Sequence, residues 1–177
     1  MTNLDQLNAA IPHILSAPKD EAAIDILCQR PNFGERVYPD SLEVSPKAGI
    51  KDERWLKHPW STLDDGSPDP RIQISILPRR VFDLVVQDKI HPGDTIVADI
   101  DTSFDNLPVG QRLEIGTAEI EVTDLFNDGC VKWKVRYGAD AKKWLVLPEH
   151  LKYRLRGVLC KITKAGVIHK TDVIRKI

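Results

Sequence analysis

A mainly β, barrel-like fold with a few short helices is what this sequence predicts, and three observations predict it. Apolar and polar residues alternate with period two along much of the 177-residue chain, as in Ile72-Gln-Ile74-Ser-Ile76. Arg112–Ile115 and Ala118–Val122 alternate on either side of Gly116-Thr117, and a two-residue link led by glycine is a hairpin signal. Helical spacing is confined to short stretches. Many short strands with few helices favour a sheet closed on itself.

Taken in order, Leu4, Leu7, Ile11, Ile14 and Leu15 recur at helical spacing, so one amphipathic helix is expected over residues 3–15. Asn3 or Asp5 would cap it and Pro18 lies just past its end. Residues 22–30 read as a strand stopped by Pro31, Asn32 and Gly34, with a second strand near residues 35–38. The polar run 57–70, rich in Pro, Asp, Ser and Gly, reads as a surface loop. Residues 72–76 alternate like a half-buried strand, 81–88 suit a short helix ending before Pro92-Gly93, and 95–101 alternate again. Past the hairpin, residues 155–162 and 167–174 read as a strand pair around Ala165-Gly166. The domain organisation expected is an N-terminal helix and lead-in over residues 1–21 followed by a barrel domain over residues 22–177.

Residues 130–137 carry two signals. Val131, Val135 and Tyr137 alternate with Lys132, Lys134 and Arg136, as in a strand. Asp128 is a good helix cap, however, and Ala139 to Leu145 are helix formers, so a helix starting near Cys130 is the other reading.

Composition narrows the function classes. Hydrophobic residues make up 42% and charged residues 29%, which is ordinary for a soluble globular domain. A net charge of -1 gives no basic footprint for nucleic acid or for an anionic membrane, so neither is expected as a partner. Three cysteines without paired spacing argue against a disulfide framework, and free thiols fit a reducing, cytoplasmic setting. No apolar run is long enough to cross a bilayer and the first residues lack a secretion signal. There is no HExxH or CxxC zinc pattern, no GxSxG elbow and no phosphate-cradling Gly-Lys-Ser/Thr loop.

The cysteines differ in setting. Cys28 and Cys160 lie among apolar residues and read as core. Cys130 follows Gly129, which has no side chain to shield the sulfur, and precedes Lys132, Lys134 and Arg136, cations that favour a thiolate. Cys130 is therefore either a working thiol or a buried structural one. The basic residues have a plain alternative, a solvated face in which Arg136 pairs with Asp140 at i,i+4. Arg154 and Arg156 fit a solvent-facing strand edge equally well. Asp94, Asp99, Asp101 and Asp105 crowd one region, but their spacing fits no calcium loop.

Four ordered segments carry a family resemblance. They are Arg30-Pro31 … Glu35-Arg36 … Gly49-Ile-Lys-Asp52-Glu-Arg54-Trp55, then Gly93-Asp94 … Asp99-Ile-Asp101 … Asn106-Leu-Pro108-Val-Gly110 … Leu113-Glu-Ile-Gly116. Val122-Thr123 … Gly129-Cys130-Val-Lys132-Trp133 … Arg136-Tyr-Gly138-Ala-Asp140-Ala141 and Leu155-Arg156-Gly157 … Gly166 … Asp172-Val173 follow. Together they span roughly residues 22–175, and the chain resembles a MOSC domain, the fold at the C-terminus of molybdenum-cofactor sulfurases, of the free-standing type. There are three departures. Phe126-Asn-Asp-Gly-Cys130 stands where such relatives read Pro-His-Thr-Gly-Cys, which removes one proton acceptor for the thiol. Lys51 replaces a second glycine of the early turn, and Ile168-His-Lys-Thr-Asp172 lacks a glycine before the Asp.

The resemblance implies a MOSC-type β-barrel in which Cys130 carries sulfur as a persulfide or ligates the metal of a molybdenum cofactor (molybdopterin). Lys132, Arg136 and Arg54 become candidates to hold the pterin phosphate, because guanidinium forks match phosphate oxygens. A cysteine desulfurase or a molybdoenzyme is the implied protein partner, and a small anion the implied ligand. Pyridoxal phosphate is not implied, since it belongs to a separate desulfurase domain. Three functions stay open at this stage: a sulfur carrier, an oxidoreductase using bound molybdenum cofactor, and a non-catalytic binding module in which Cys130 is structural.

Overall fold

Seven strands close the barrel that the alternation predicts. In a computed structural model describing residues 2–177, the strands in chain order are β1 (Ala22–Leu27), β2 (Ser41–Ser45), β3 (Gly49–Ile50), β4 (Ile74–Pro78), β5 (Ile96–Ala98), β6 (Arg112–Ile115), β7 (Ala118–Val122), β8 (Val158–Lys164), β9 (Gly166–His169) and β10 (Val173–Lys176). Around the barrel the order is β1-β10-β6-β7-β8-β4-β5, and β5 returns to β1. β2 forms a separate small sheet between β3 and β9. All pairs are antiparallel except β4 with β5, whose crossover contains helix α3 (Arg79–Val85).

The inward residues of these strands build one core, including Ile24, Ile74, Ile76, Ile96, Leu113, Ile120 and Ile174. A second core lies outside the barrel wall. There α1 (Leu4–Ala9), α2 (Ile11–Leu15), α3, α4 (Val131–Tyr137) and α5 (Ala139–Leu145) gather Leu7, Ile14, Val81, Trp133 and Trp144 against Leu77 and Val97. That cover explains one departure from expectation. β4 is buried along its whole length, not half-buried, because helices seal its outer face.

Other corrections have equally local causes. The single helix expected over residues 3–15 is two, broken at Ala10, with Pro12 in the first turn of α2 where its missing N–H costs nothing. Asn3 does cap α1, in a reciprocal capping box with Gln6. The strand expected near 35–38 reduces to one isolated bridge between Val37 and Gln29. The pair expected around Ala165-Gly166 does not form: β8 stays in the barrel beside β4 and β7, while β9 leaves it to pair with β2. Residues 131–137 are helical. Trp133, Tyr137, Ala141 and Trp144 bury one helical stripe, and burying two tryptophans outweighs a short alternating run.

Two features hold the start of β8 in place. Gly157 has φ +85°, and a Cβ there would lie 1.9 Å from the Ile76 carbonyl oxygen, so only glycine lets the chain pass this close to β4. Arg154 is buried, not solvent-facing as its strand position allowed. Its guanidinium donates to the carbonyls of Thr102 (2.8 Å), Ser103 (2.9 Å) and Leu107, and lies 4.3 Å from the centre of the Phe104 ring. Burial pushes its pKa down to about 10, which leaves it charged at neutral pH. Arg154→Met should cost about 3 kcal/mol or more, because three buried carbonyls lose their donor. Urea unfolding measures this, and a loss under about 1 kcal/mol would show that the loop finds other donors.

Candidate functional site

A cluster of arginines gathers where β1 ends and the loop before β5 begins. The backbone of this loop is fixed by Gly93, at φ +102°. A Cβ on Gly93 would stand 3.2 Å from Arg30 Cδ and 3.8 Å from Arg36 Nη2, so the bare glycine makes room for both side chains. Arg30 is bound to the buried Glu53 at 2.6 Å. Arg156, reached from the far side of the barrel just before β8, meets the buried Asp94 at 2.7 Å. Both partners of that pair are nearly hidden, at 11% and 3% side-chain exposure. Three guanidiniums face two carboxylates, and Arg54 stands at the rim next to Arg30. The cluster therefore carries an excess of positive charge.

His91 sits among these groups. Its Nδ1 accepts the Gly93 N–H at 3.0 Å, which leaves the proton of the neutral ring on Nε2. Burial pushes its pKa down to about 4; the Asp94 carboxylate works against this, and Arg36, Arg156 and Arg30 add to the drop. Five buried polar atoms here have no protein partner: Arg36 Nε, Arg156 Nε, His91 Nε2, Asp94 Oδ2 and Glu53 Oε2. Buried donors without partners are costly, so their concentration in one place marks a site shaped for a polar ligand. Beyond His91, Tyr38 and Phe82 flank the imidazole at ring-centre distances of 5.6 and 5.4 Å. They line a cleft of about 380 Å³ with Asp25, Lys89 and Lys170.

Arg156 links this cluster to the cysteine. Its guanidinium lies 4.4 Å above the ring centre of Trp133, whose backbone N–H donates to the Cys130 carbonyl at 2.9 Å. Cys130 is the residue before the first turn of α4, in extended conformation. The thiol is exposed, which decides against the buried structural reading. Its loop is pinned from two sides. Lys142 of α5 donates to the carbonyls of Asp128 and Gly129, both at 2.6 Å, and pairs with the Asp128 carboxylate. Asn127 donates to the Arg156 carbonyl at 3.3 Å and accepts the Gly129 N–H at 3.4 Å. Asn127 stands where the resembled pattern has histidine, and here the position supports the loop. Cys28 and Cys160 are core residues as expected; burial pushes their thiols up to about 11 and about 12.

The other expected site residues separate. Lys132 and Arg136 share α4 with Cys130, and neither makes an ion pair among the described residues; Arg136 does not reach Asp140. Arg54 lies over the Phe33 ring at 4.8 Å and donates to the His58 carbonyl, with no contact to Cys130 among the described residues. Arg30, Arg36, His91, Asp94, Arg156 and Lys142 were not named as site residues from sequence. A solvent-facing Arg156 was one open reading, and its long-range partners Asp94 and Trp133 reveal its place instead. The acidic run does not converge on a cation site: Asp94 is paired with Arg156, Asp99 with Arg80, and no group of three ligating side chains is placed for a metal among the described residues. No described helix is long and apolar enough to cross a membrane.

No family model matches the chain, and no curated protein matches it in sequence. Solved structures do share its fold. The YuaD protein from Bacillus subtilis is 16% identical with a TM-score of 0.60, and the similarity covers 86% of this chain and 93% of that one. YiiM from Escherichia coli is 13% identical with a TM-score of 0.53, covering 87% of this chain and 69% of that one. The closed seven-stranded barrel with short helices is thus a MOSC-like fold, as the ordered segments implied.

Two measurements follow from this geometry. A brief pulse of iodoacetamide on the folded protein should alkylate Cys130 first and leave Cys28 and Cys160 untouched, since only the exposed thiol is within reach. Peptide mapping reads the order, and equal labelling of all three would refute it. His91 should make stability depend on pH. Between about 6.5 and about 4 an unfolded His91 takes up a proton that the folded one refuses, so stability falls as pH drops through that window. The loss should be about 1–3 kcal/mol, and His91→Gln should flatten the melting temperature over the same range.

Proposed function

We propose that this protein is a sulfur-handling domain, in which Cys130 takes up a sulfane sulfur and the arginine cluster lodges the anionic end of the ligand it serves. The observation that carries the reading is the set of unused donors on Arg36, His91 and Arg156, with Arg156 stacked on Trp133 one helical turn into α4 from the exposed Cys130. Three fixed donors in a region of excess positive charge suit phosphate or a sulfur oxyanion. The neutral His91 adds a hydrogen-bond donor without adding another charge to be hidden. Lys142 and Asn127 hold the loop that presents the sulfur.

The sulfur step is simple. The Cys130 thiolate attacks the outer sulfur of a donor persulfide, such as that of a cysteine desulfurase. A new S–S bond forms on Cys130, the donor's S–S bond breaks, and the donor leaves as a thiolate. No outside oxidant or reductant is consumed. Delivery is the same displacement run onward: an acceptor thiolate attacks the outer sulfur, the Cys130 S–S bond breaks and Cys130 leaves as a thiolate.

The sequence resemblance also implies a molybdenum-pterin cofactor. The orphaned donors of Arg36, His91 and Arg156 suit its phosphate, and Cys130 offers a soft sulfur ligand suited to its metal. Lys132 and Arg136 stand on α4 outside the arginine cluster and are better placed to meet a partner than to hold the phosphate. When bound, the cofactor would supply two-electron chemistry at the metal. This chain's residues would bind and orient it.

The test separates thiol from pocket. Cys130→Ser should keep the melting temperature within about 1 kcal/mol of stability, because the exposed site packs little, while persulfide loading by a desulfurase and cysteine disappears from the intact mass. Arg36→Gln should keep loading but weaken binding of inorganic phosphate by about 1.5–3 kcal/mol, read by calorimetry. If Cys130→Ser still loads sulfur, or if the unaltered protein never does, the carrier reading fails. Phosphate binding alone would then leave a plain anion-binding module.

A further inference from the structure

The exposed face of α4 carries three local costs that its own protein does not offset. Val131 and Val135 are both 76% exposed, although a β-branched residue on an open helix face gains no packing and loses side-chain freedom. Lys132 sits in the first turn, where the helix end disfavours a cation. Lys132 and Arg136 repel one another at i,i+4, and neither they nor Lys134 makes an ion pair among the described residues. Some surface cations, such as Arg71, Arg79 and Arg175, are paired, but the three on α4, unpaired among the described residues, flank the same two exposed valines. One occupant would relieve all three costs at once: an apolar centre set among carboxylates. The two valines stand i,i+4 on one stripe, so the first of them lies directly beside the exposed Cys130.

We propose that this face of α4 docks a partner protein whose contact surface is apolar and ringed by acidic side chains, and that docking brings the partner's sulfur to Cys130. The proposal rests on the sulfur-handling reading and adds the chemistry of the partner. Charge steering toward the three cations speeds encounter, and the valines hold the docked state.

The test uses two synthetic peptides, each with one cysteine carried as a mixed disulfide with thionitrobenzoate. Both flank that cysteine with leucines, and one adds glutamates where the other adds lysines. The Cys130 thiolate attacks the peptide sulfur, the probe's S–S bond breaks, and coloured thionitrobenzoate leaves, so absorbance gives the rate. At low salt the acidic peptide should react about tenfold faster than the basic one. The preference should collapse near 0.5 M salt, where the screening length is only about 4 Å. Lys132→Glu with Lys134→Glu should reverse it. Val131→Ser with Val135→Ser should slow the acidic peptide by about threefold or more and leave the iodoacetamide rate unchanged.

Equal rates for the two peptides overturn the proposal, and so does a charge preference that ignores the valines. If the valine variants instead lose binding to phosphatidylcholine vesicles containing about one third phosphatidylserine, the face is a membrane contact and the proposal is wrong. Iodoacetamide labelling and loading from a small-molecule persulfide such as glutathione persulfide need no docked partner, so failure of the sulfur-handling reading shows there and not in the peptide preference.

Discussion

The contact on which the site depends is the pairing of Arg156 with Asp94. Both groups are nearly hidden from solvent, and taking two charges out of water is expensive unless their remaining hydrogen-bonding capacity is used. Here it is not fully used, since Arg156 Nε and Asp94 Oδ2 lack partners. An apolar pair of the same volume would serve stability equally well or better. What the ion pair does instead is join three distant parts of the chain. It ties the lead-in to β8 to the loop before β5, and through the Trp133 ring it ties both to the start of α4. The arginine cluster and the start of α4 are therefore joined by a continuous chain of contacts.

The barrel makes that convergence possible. Gly157 lets the chain enter β8 in contact with Ile76, and the parallel pairing of β4 with β5 brings the residues before β5 alongside the end of β1. Arg154 and Arg156, two residues apart, then act on opposite tasks. Arg154 turns to the carbonyls of residues 102–107 and fixes a loop, while Arg156 turns to Asp94 and Trp133 and builds the site. Period-two alternation sets such residues on the same side of an ideal strand. The left-handed backbone at Arg154, φ +45°, and the glycine at 157 break that strand geometry.

What could be read from sequence was local. The hairpin of β6 and β7 was legible because its two strands and its turn are adjacent and agree with one another. Asn3 as one of two candidate caps was legible for the same reason, while its reciprocal bond with Gln6 came from the structure. β9 was misassigned because its partner, β2, lies far away in sequence and no local pattern names it. Residues 130–137 were undecided because seven residues hold too few repeats to separate a period of two from one of 3.6; the buried partners of Trp133 and Tyr137 decide it. The neighbours of Cys130 left its exposure open, and the structure decides it. The clustering of Arg30, Arg36 and Arg156 could not be read, since their partners lie far apart in sequence.

Setting the three thiols side by side explains why only one is suited to chemistry. Cys160 is sealed in the barrel core near Arg154, and that cation does not offset the burial that pushes the thiol to about 12. Cys28 is the more instructive contrast. It lies beside Arg30 and Arg36, a stronger cationic setting than the surface lysines give Cys130, yet burial still pushes it up to about 11. Positive charge close by is therefore not enough to make a working thiol in this fold; access to water is the deciding condition. Cys130 meets it because Gly129, at φ +76°, turns the chain outward over Leu145 and Trp133 just before α4 begins. On the function proposed above, the arginines serve a ligand and the exposed cysteine a reaction, with Arg156 and Trp133 standing between them.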